Sequence, residues 1–292
     1  MSEKSMSKDT RKNVILLHIA VMCFSCSGVI GQYVQVPAVQ VAMGRVICSS
    51  LLLLAISLVC KDKLTLDSKK DYGLMILTGV VMAIHWSSFF QSIQTSSVAI
   101  GTITFSTFPL FLTFLEPLLF HEKIRGKNIL NALILLMGVL ITIPEFSVEN
   151  KVTIGILWGM LASFTYAVMT LSNRYFSSRY KGRTICLYEQ GTAAIALLPA
   201  LVLVKAEWRP VDFAGVATIG FLCTAIAYSL YVTAQKGVKA QTAGIISGME
   251  TVYGIVFALL FLREIPTVRE LVGGAVILGI AFYSSLHSED EL

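Results

Sequence analysis

Pro109-Leu110-Phe111-Leu112-Thr113-Phe114 and, three residues on, Leu118-Leu119-Phe120-His121-Glu122 meet a second copy 142 positions later. The counterparts are Thr251-Val252-Tyr253-Gly254-Ile255-Val256 and Leu260-Phe261-Leu262-Arg263-Glu264, aligned without a gap. Each copy is an apolar run closed by a basic residue and a glutamate, and each leads into another glycine-containing apolar run. The two runs are the fourth and ninth apolar segments of the chain, so five segments form one repeat. An odd number of membrane crossings per repeat makes the two halves enter the bilayer with opposite polarity. Inverted repeats of this kind build many transporters, with the cargo site near the bilayer midplane at the repeat interface.

Outward from those runs the whole chain is apolar. Of 292 residues, 55% are hydrophobic and 14% charged, and the mean hydropathy is +0.74. A soluble domain carries about 25% charged residues, so the composition excludes a soluble enzyme, a disordered chain and a secreted module. A helix needs about 20 mostly apolar residues to cross the hydrocarbon layer. Ten segments qualify, near 13–33, 38–60, 72–94, 97–120, 128–144, 152–174, 184–204, 212–235, 240–262 and 269–287. The predicted fold class is therefore an all-α integral membrane protein, with ten transmembrane helices in two inverted five-helix repeats around a central cavity. The expected organisation is a cytoplasmic N-terminal segment 1–12, a first repeat 13–144, a second repeat 152–287 and a cytoplasmic tail 288–292. The start of the chain reads as a retained helix rather than a cleaved leader.

Seventeen of the 23 Lys and Arg residues fall in the flanks on the side of the termini. By the positive-inside rule both termini are cytoplasmic, which predicts a multi-pass protein of the plasma or inner membrane. The net charge of +5 is too modest for nucleic-acid binding. The six cysteines all lie in apolar stretches, and Cys23-x-x-Cys26 has no second pair to complete a metal site, so all six read as packing residues. No phosphate-binding loop is present, and no cofactor or metal is expected. The expected partners are a small-molecule substrate, the lipid bilayer and protons, and the chain reads as a monomer or loose homodimer.

Ten spans in a five-plus-five repeat, Gly44-Arg45 in the second span, Thr104-Phe105-Ser106-Thr107-Phe108-Pro109 leading to Glu122, and Met249-Glu250-Thr251 leading to Arg263-Glu264 together resemble the drug/metabolite transporter superfamily, in its EamA-type branch. The resemblance covers nearly the whole chain. It implies alternating access through a central cavity lined mainly by the first, third, fourth, sixth, eighth and ninth helices. It also implies a cargo such as an amino acid, nucleotide sugar, sugar phosphate or other metabolite. One departure is that Thr251 stands where the first copy has Pro109, so the two halves should not bend alike.

Ionisable side chains at bilayer depth are functional candidates by default, and here they are His18, Arg45, His85, Glu116, Glu189 and Glu250. Glu250 lies ten residues into its span, about 15 Å deep at 1.5 Å per residue. It reads as a coupling carboxylate or a counter-charge for a substrate amine, or else as a structural partner of Arg45. His85 opens the polar stretch His85-Trp86-Ser87-Ser88-Phe89-Phe90-Gln91-Ser92, where His85, Ser88, Phe89 and Ser92 share a face. That stripe suits an amphipathic cargo, or equally a packing histidine beside serines at a close helix contact. Thr102, Ser106, Pro109, Thr113 and Glu116 form a polar stripe on the fourth span, with Glu116 placed to gate the cytoplasmic mouth or to cap interfacial cations. Tyr166 and Tyr228, with Thr251, complete the predicted lining. Arg45 is expected to act as a structural charge, because the resemblance puts the second helix behind the wall. His18, Glu116 and Glu189 fall near the cytoplasmic end of their spans, where snorkelling is cheaper.

The predicted function is secondary transport of small polar or amphipathic metabolites, amino acids or related amines first. An exporter of organic cations or drugs is the alternative, since carboxylates beside aromatics suit cations. Several anionic charges on a cargo would call for more cavity cations than these spans hold. Intramembrane catalysis would need a nucleophile and base at depth, and His85 is the one deep base. A non-transporting scaffold would turn its polar residues to helix contacts instead of a cavity.

Overall fold

The computed structural model describes residues 8–121, 126–145, 147–235, 238 and 240–287. The chain is all helical among these residues, in ten successive rods. They are α1 (Lys8–Tyr33), α2 (Ala38–Val59), α3 (Lys69–Thr95), α4 in two pieces (Val98–Phe105 and Phe108–Phe120), α5 (Gly126–Thr142) and α6 (Lys151–Ser177). There follow α7 (Gly182–Leu197, with a short turn Ala200–Leu203), α8 (Pro210–Gly220 continuing to Gln235), α9 (Ala240–Phe257 continuing to Leu262) and α10 (Val268–His287). Eight rods are long and apolar enough to cross a membrane, and α5 is a shorter apolar helix. Their outward faces are studded with exposed Leu, Ile, Val and Phe side chains, as lipid contact requires. All six cysteines are free.

Sequence chemistry sets the helix starts. Ser68 accepts from the amide of Asp71 at 3.1 Å, Ser97 from Ile100 at 3.1 Å, and Asn150 from Val152 at 2.9 Å. Each side chain satisfies an amide that the helix leaves unpaired. Proline sets the breaks. Pro199 divides α7, and Pro109 stands just past the interruption at Ser106–Thr107 in α4. The predicted continuous segment 97–120 is thus two helices. α9, with Thr251 at the matching position, runs unbroken past it and widens only later, over Ala258–Leu262.

The repeat is visible in the backbone. His121 ends α4 with φ 56° and Arg263 ends α9 with φ 59°, both in the left-handed region that non-glycine residues seldom adopt. These two residues are the equivalent positions of the sequence alignment. The packing repeats as well: α1 lies on α8 and α9, while α6 lies on α3 and α4. α2 pairs with α7, α5 with α10 and α4 with α9, so each of these three pairs joins a helix to its own counterpart. A pseudo-two-fold relation between the halves accounts for all of these pairings.

Polar ties close the two ends of the bundle. At the terminal face, where α1 begins and α10 ends, Asp62 pairs with Lys181 at 2.9 Å and Arg183 at 2.8 Å. Asp71 there receives both arms of Arg179, at 2.9 and 3.0 Å, and the hydroxyl of Tyr180 at 2.7 Å. The guanidinium of Arg183 and the ammonium of Lys181 hold the Asp62 carboxyl below the usual carboxylate range, at about 2. Glu116 pairs with Arg174 on the same side. At the opposite face Gln40 donates to the carbonyls of Ala200 (3.2 Å) and Val204 (2.6 Å) and accepts from Trp208 (3.0 Å).

Candidate functional site

Between α1, α2, α3, α4, α6, α7, α8 and α9 lies a cavity of about 240 Å3. A second, of about 420 Å3, continues from it between α4, α6, α9 and α10. Phe105, Tyr166, Ser247 and Glu250 line both, so Glu250 stands where the two compartments meet.

The inner compartment is walled by aromatic rings with a few polar groups between them. Arg45 of α2 is 3% exposed and lays its guanidinium on Trp86, with Cζ 3.3 Å from the ring centroid. Its Nε and Nη1 atoms have no hydrogen-bond partner. Buried donors of this kind cost stability until something accepts from them. Glu250 faces the same space with no ion pair to Arg45 among the described residues. Across from them α7 contributes Glu189, 1% exposed, whose Oε1 is unpartnered, and α6 brings Asn173 beside it with Oδ1 unpartnered. Gln190 is occupied by Ser49 of α2. The α8 segment Phe221–Ile226 widens to an i→i+5 pattern, and the Thr224 hydroxyl donates five residues back to the carbonyl of Ile219 at 2.7 Å. That bulge lies where Thr224 and Tyr228 reach the cavity.

The outer compartment begins at the break in α4. Ser106 and Thr251 join there through their hydroxyls at 2.6 Å, and Thr251 also reaches the carbonyl of Thr102 at 3.3 Å. Phe108, Pro109, Leu278 and Phe282 give it an apolar wall.

The fold agrees with what the chain is similar to. The EamA-like transporter family matches twice, over residues 11–143 and 153–286. This chain belongs to that family. An uncharacterized transporter of Helicobacter pylori strain J99 is 25% identical over 287 residues, covering 91% of this chain and 94% of that protein. The uncharacterized transporter YxxF of Bacillus subtilis strain 168 is 22% identical over 276 residues, covering 93% and 88%. A crystal structure of another protein superposes with a TM-score of 0.64 at 15% identity over 96% of this chain and 98% of that one, which is a likeness of fold.

Within this EamA-family bundle the predicted residues separate into two groups. Trp86, Phe89, Tyr166, Tyr228 and Glu250 line the inner compartment, and Ser106, Pro109 and Thr251 line the outer one with Tyr166 and Glu250. His85 and Ser88 do not line either. His85 is 0% exposed, and its Nδ1–H donates to the carbonyl of Ala162 on α6 at 2.8 Å. Ser92 likewise donates to Gly155 at 2.7 Å. The polar stripe of α3 is therefore turned against α6, where Gly155 and Gly159 let the helices approach, and the neighbouring stripe Met82, Trp86 and Phe89 faces the cavity. Glu116 lies at the terminal face with Arg174, away from both compartments.

Arg45 is on the cavity wall rather than behind it, and α2 and α7 join the six lining helices that the resemblance implies. Glu189, Asn173 and Gln190 were not predicted as lining. The signal available for Glu189 was its charge within a span; its distance from the helix end disguised it as an interfacial residue.

Proposed function

We propose that this chain is a secondary transporter of small amine-bearing metabolites, amino acids first, working by alternating access, with Glu250 as the counter-charge for the cargo's ammonium group. The observation that carries this reading is the position of Glu250. It is a mid-span carboxylate at the junction of two compartments, facing an aromatic wall with no ion pair to the one buried guanidinium of the site. A carboxylate so placed serves successive cargo and proton loads, which is how a coupled carrier couples. Arg45, with two free donors, suits the carboxylate of the same cargo.

The charge distribution of the loops supports cytoplasmic termini in a plasma or inner membrane. The network of Asp62, Asp71 and residues 179–183 then closes the cytoplasmic end of the α2–α3 and α6–α7 loops. An organic-cation exporter is less well supported, because Arg45 already occupies a face of Trp86 that such a cation would use. Catalysis through His85 is not supported either, since the imidazole lies behind the aromatic wall.

The experiment is binding and counterflow with purified protein in proteoliposomes, comparing wild type with Glu250→Gln over a panel of amino acids and amines. Accumulation of an amino acid that the variant loses is the expected result. Accumulation unaffected by the variant overturns the role of Glu250, and no flux of any amine-bearing compound overturns the reading itself.

A further inference from the structure

Three charged side chains face the inner compartment, and they lie at different heights. α2 enters from the opposite face, and Arg45 is seven residues from its Ala38 end; α7 and α9 enter from the terminal face, with Glu189 seven residues from Gly182 and Glu250 ten residues from Ala240. At 1.5 Å per residue across about 30 Å of hydrocarbon, Glu189, Glu250 and Arg45 stand roughly 10, 15 and 20 Å from the terminal face. The wall is therefore a ladder with rungs about 5 Å apart, negative, negative and positive.

Two of the three keep polar atoms that the protein does not satisfy, although Asn173 hydrogen-bonds the Glu189 carboxylate. Arg45 has two unpartnered nitrogens and Glu189 one unpartnered oxygen, with the unpartnered Asn173 Oδ1 beside it. Both charged residues are more than nine-tenths buried. Buried charges are tolerated when something pairs with them, and the wall with both carboxylates ionised carries one net negative charge. A simple zwitterion leaves that charge uncompensated. A cargo with one carboxylate and two cations cancels it.

The geometry points to an α-amino acid whose side chain ends in a second cation as the preferred cargo: carboxylate on Arg45, α-ammonium on Glu250, side-chain cation on Glu189 and Asn173. The apolar stem of such a molecule runs past Met169 and Phe89, which lie in the same lining. This inference rests on the amine-bearing cargo proposed above and adds the role of Glu189.

L-lysine and three analogues that each lack one charge test it. L-norleucine lacks the side-chain ammonium, 6-aminohexanoate the α-ammonium and cadaverine the carboxylate. Binding of each to the purified full chain in detergent is measured by calorimetry and by the shift of the unfolding midpoint. Wild type is expected to bind L-lysine at least tenfold more tightly than L-norleucine, and Glu189→Gln to bring that ratio within threefold. In the same way Arg45→Gln should level L-lysine with cadaverine, and Glu250→Gln should level it with 6-aminohexanoate.

Equal binding of L-norleucine and L-lysine by wild type overturns the inference, and so does a ratio that survives Glu189→Gln. The wild-type series needs no variant to fold. If neutral amino acids bind and lose binding in Glu250→Gln while lysine has no advantage, the amine reading stands and the second cation falls. If neither lysine nor any neutral amino acid binds, both fall.

Discussion

Arg45 lies over Trp86, its Cζ 3.3 Å from the ring centroid, with two of its nitrogens donating to no partner. The indole holds the guanidinium in place while Nε and Nη1 stay free to donate. A lysine there would keep the charge and lose both the planar fork and the stacking. Arg45→Lys is expected to weaken binding of a carboxylate-bearing amino acid about tenfold, in line with the ~0.5–2 kcal/mol of a desolvated cation–π contact. Titration calorimetry on the purified variant reads this directly. Unchanged affinity would show that the guanidinium edge does not meet cargo.

The Asp62 cluster gives a pH dependence with a definite sign. Arg183 and Lys181 depress the Asp62 carboxyl from 3.8 to about 2. The stabilisation is thus fully present above pH 3.8 and is lost as pH falls through about 2. The unfolding midpoint of wild type should drop between those values more steeply than that of Asp62→Asn. Parallel curves for the two proteins would remove Asp62 from the acid transition.

Gly159 sits where α6 meets α4, and a Cβ there would overlap the side chain of Thr104. Gly159→Val is expected to lower stability by ~1–3 kcal/mol, the usual cost of overpacking. Gly73→Ala is the control, because a Cβ at Gly73 meets open space and alanine favours the helix. Thermal unfolding in detergent should separate the two clearly.

Ser106 and Thr251 are bonded across the repeat interface at 2.6 Å. A double-mutant cycle with Ser106→Ala and Thr251→Val should return a coupling of ~0.5–1.5 kcal/mol, the range of hydrogen bonds between membrane helices. Additive losses would mean that each hydroxyl is satisfied within its own helix.

Much of this architecture is legible in the chain itself. The alignment of Leu118–Glu122 with Leu260–Glu264 marks two equivalent helix ends, which His121 and Arg263 close in the same left-handed conformation. Pro109 against Thr251 says that the halves bend differently, though 97–120 reads as one unbroken span. The site was read less well, and for a physical reason. Sequence gives the height of a side chain along its helix, whereas lining a cavity depends on azimuth, which neighbouring helices set. The stripe of His85, Ser88 and Ser92 suits a polar wall and a close helix contact equally. The carbonyls of Ala162 and Gly155 on α6 claim two of its members, and that rotates Trp86 inward. Glu189 was misread in the opposite sense: its height suggested the interface, while α2 and α3 packing on α7 closes the route to water. The widened turn at Phe221–Ile226 left no trace in hydrophobic period, since one extra residue shifts phase only locally.

The interruption of α4 at Ser106–Thr107 has no twin in α9, although the pairings of α2 with α7, α4 with α9 and α5 with α10 follow the pseudo-two-fold. Two halves related by an imperfect symmetry cannot exchange shapes at no cost. Under the alternating access proposed above, the inward- and outward-facing forms should differ in free energy even with identical solutions on both sides. The empty carrier should then dwell on one side longer, and half-saturation concentrations measured from the two sides should be unequal. Pro109 contributes to that inequality, and Pro109→Ala should narrow it.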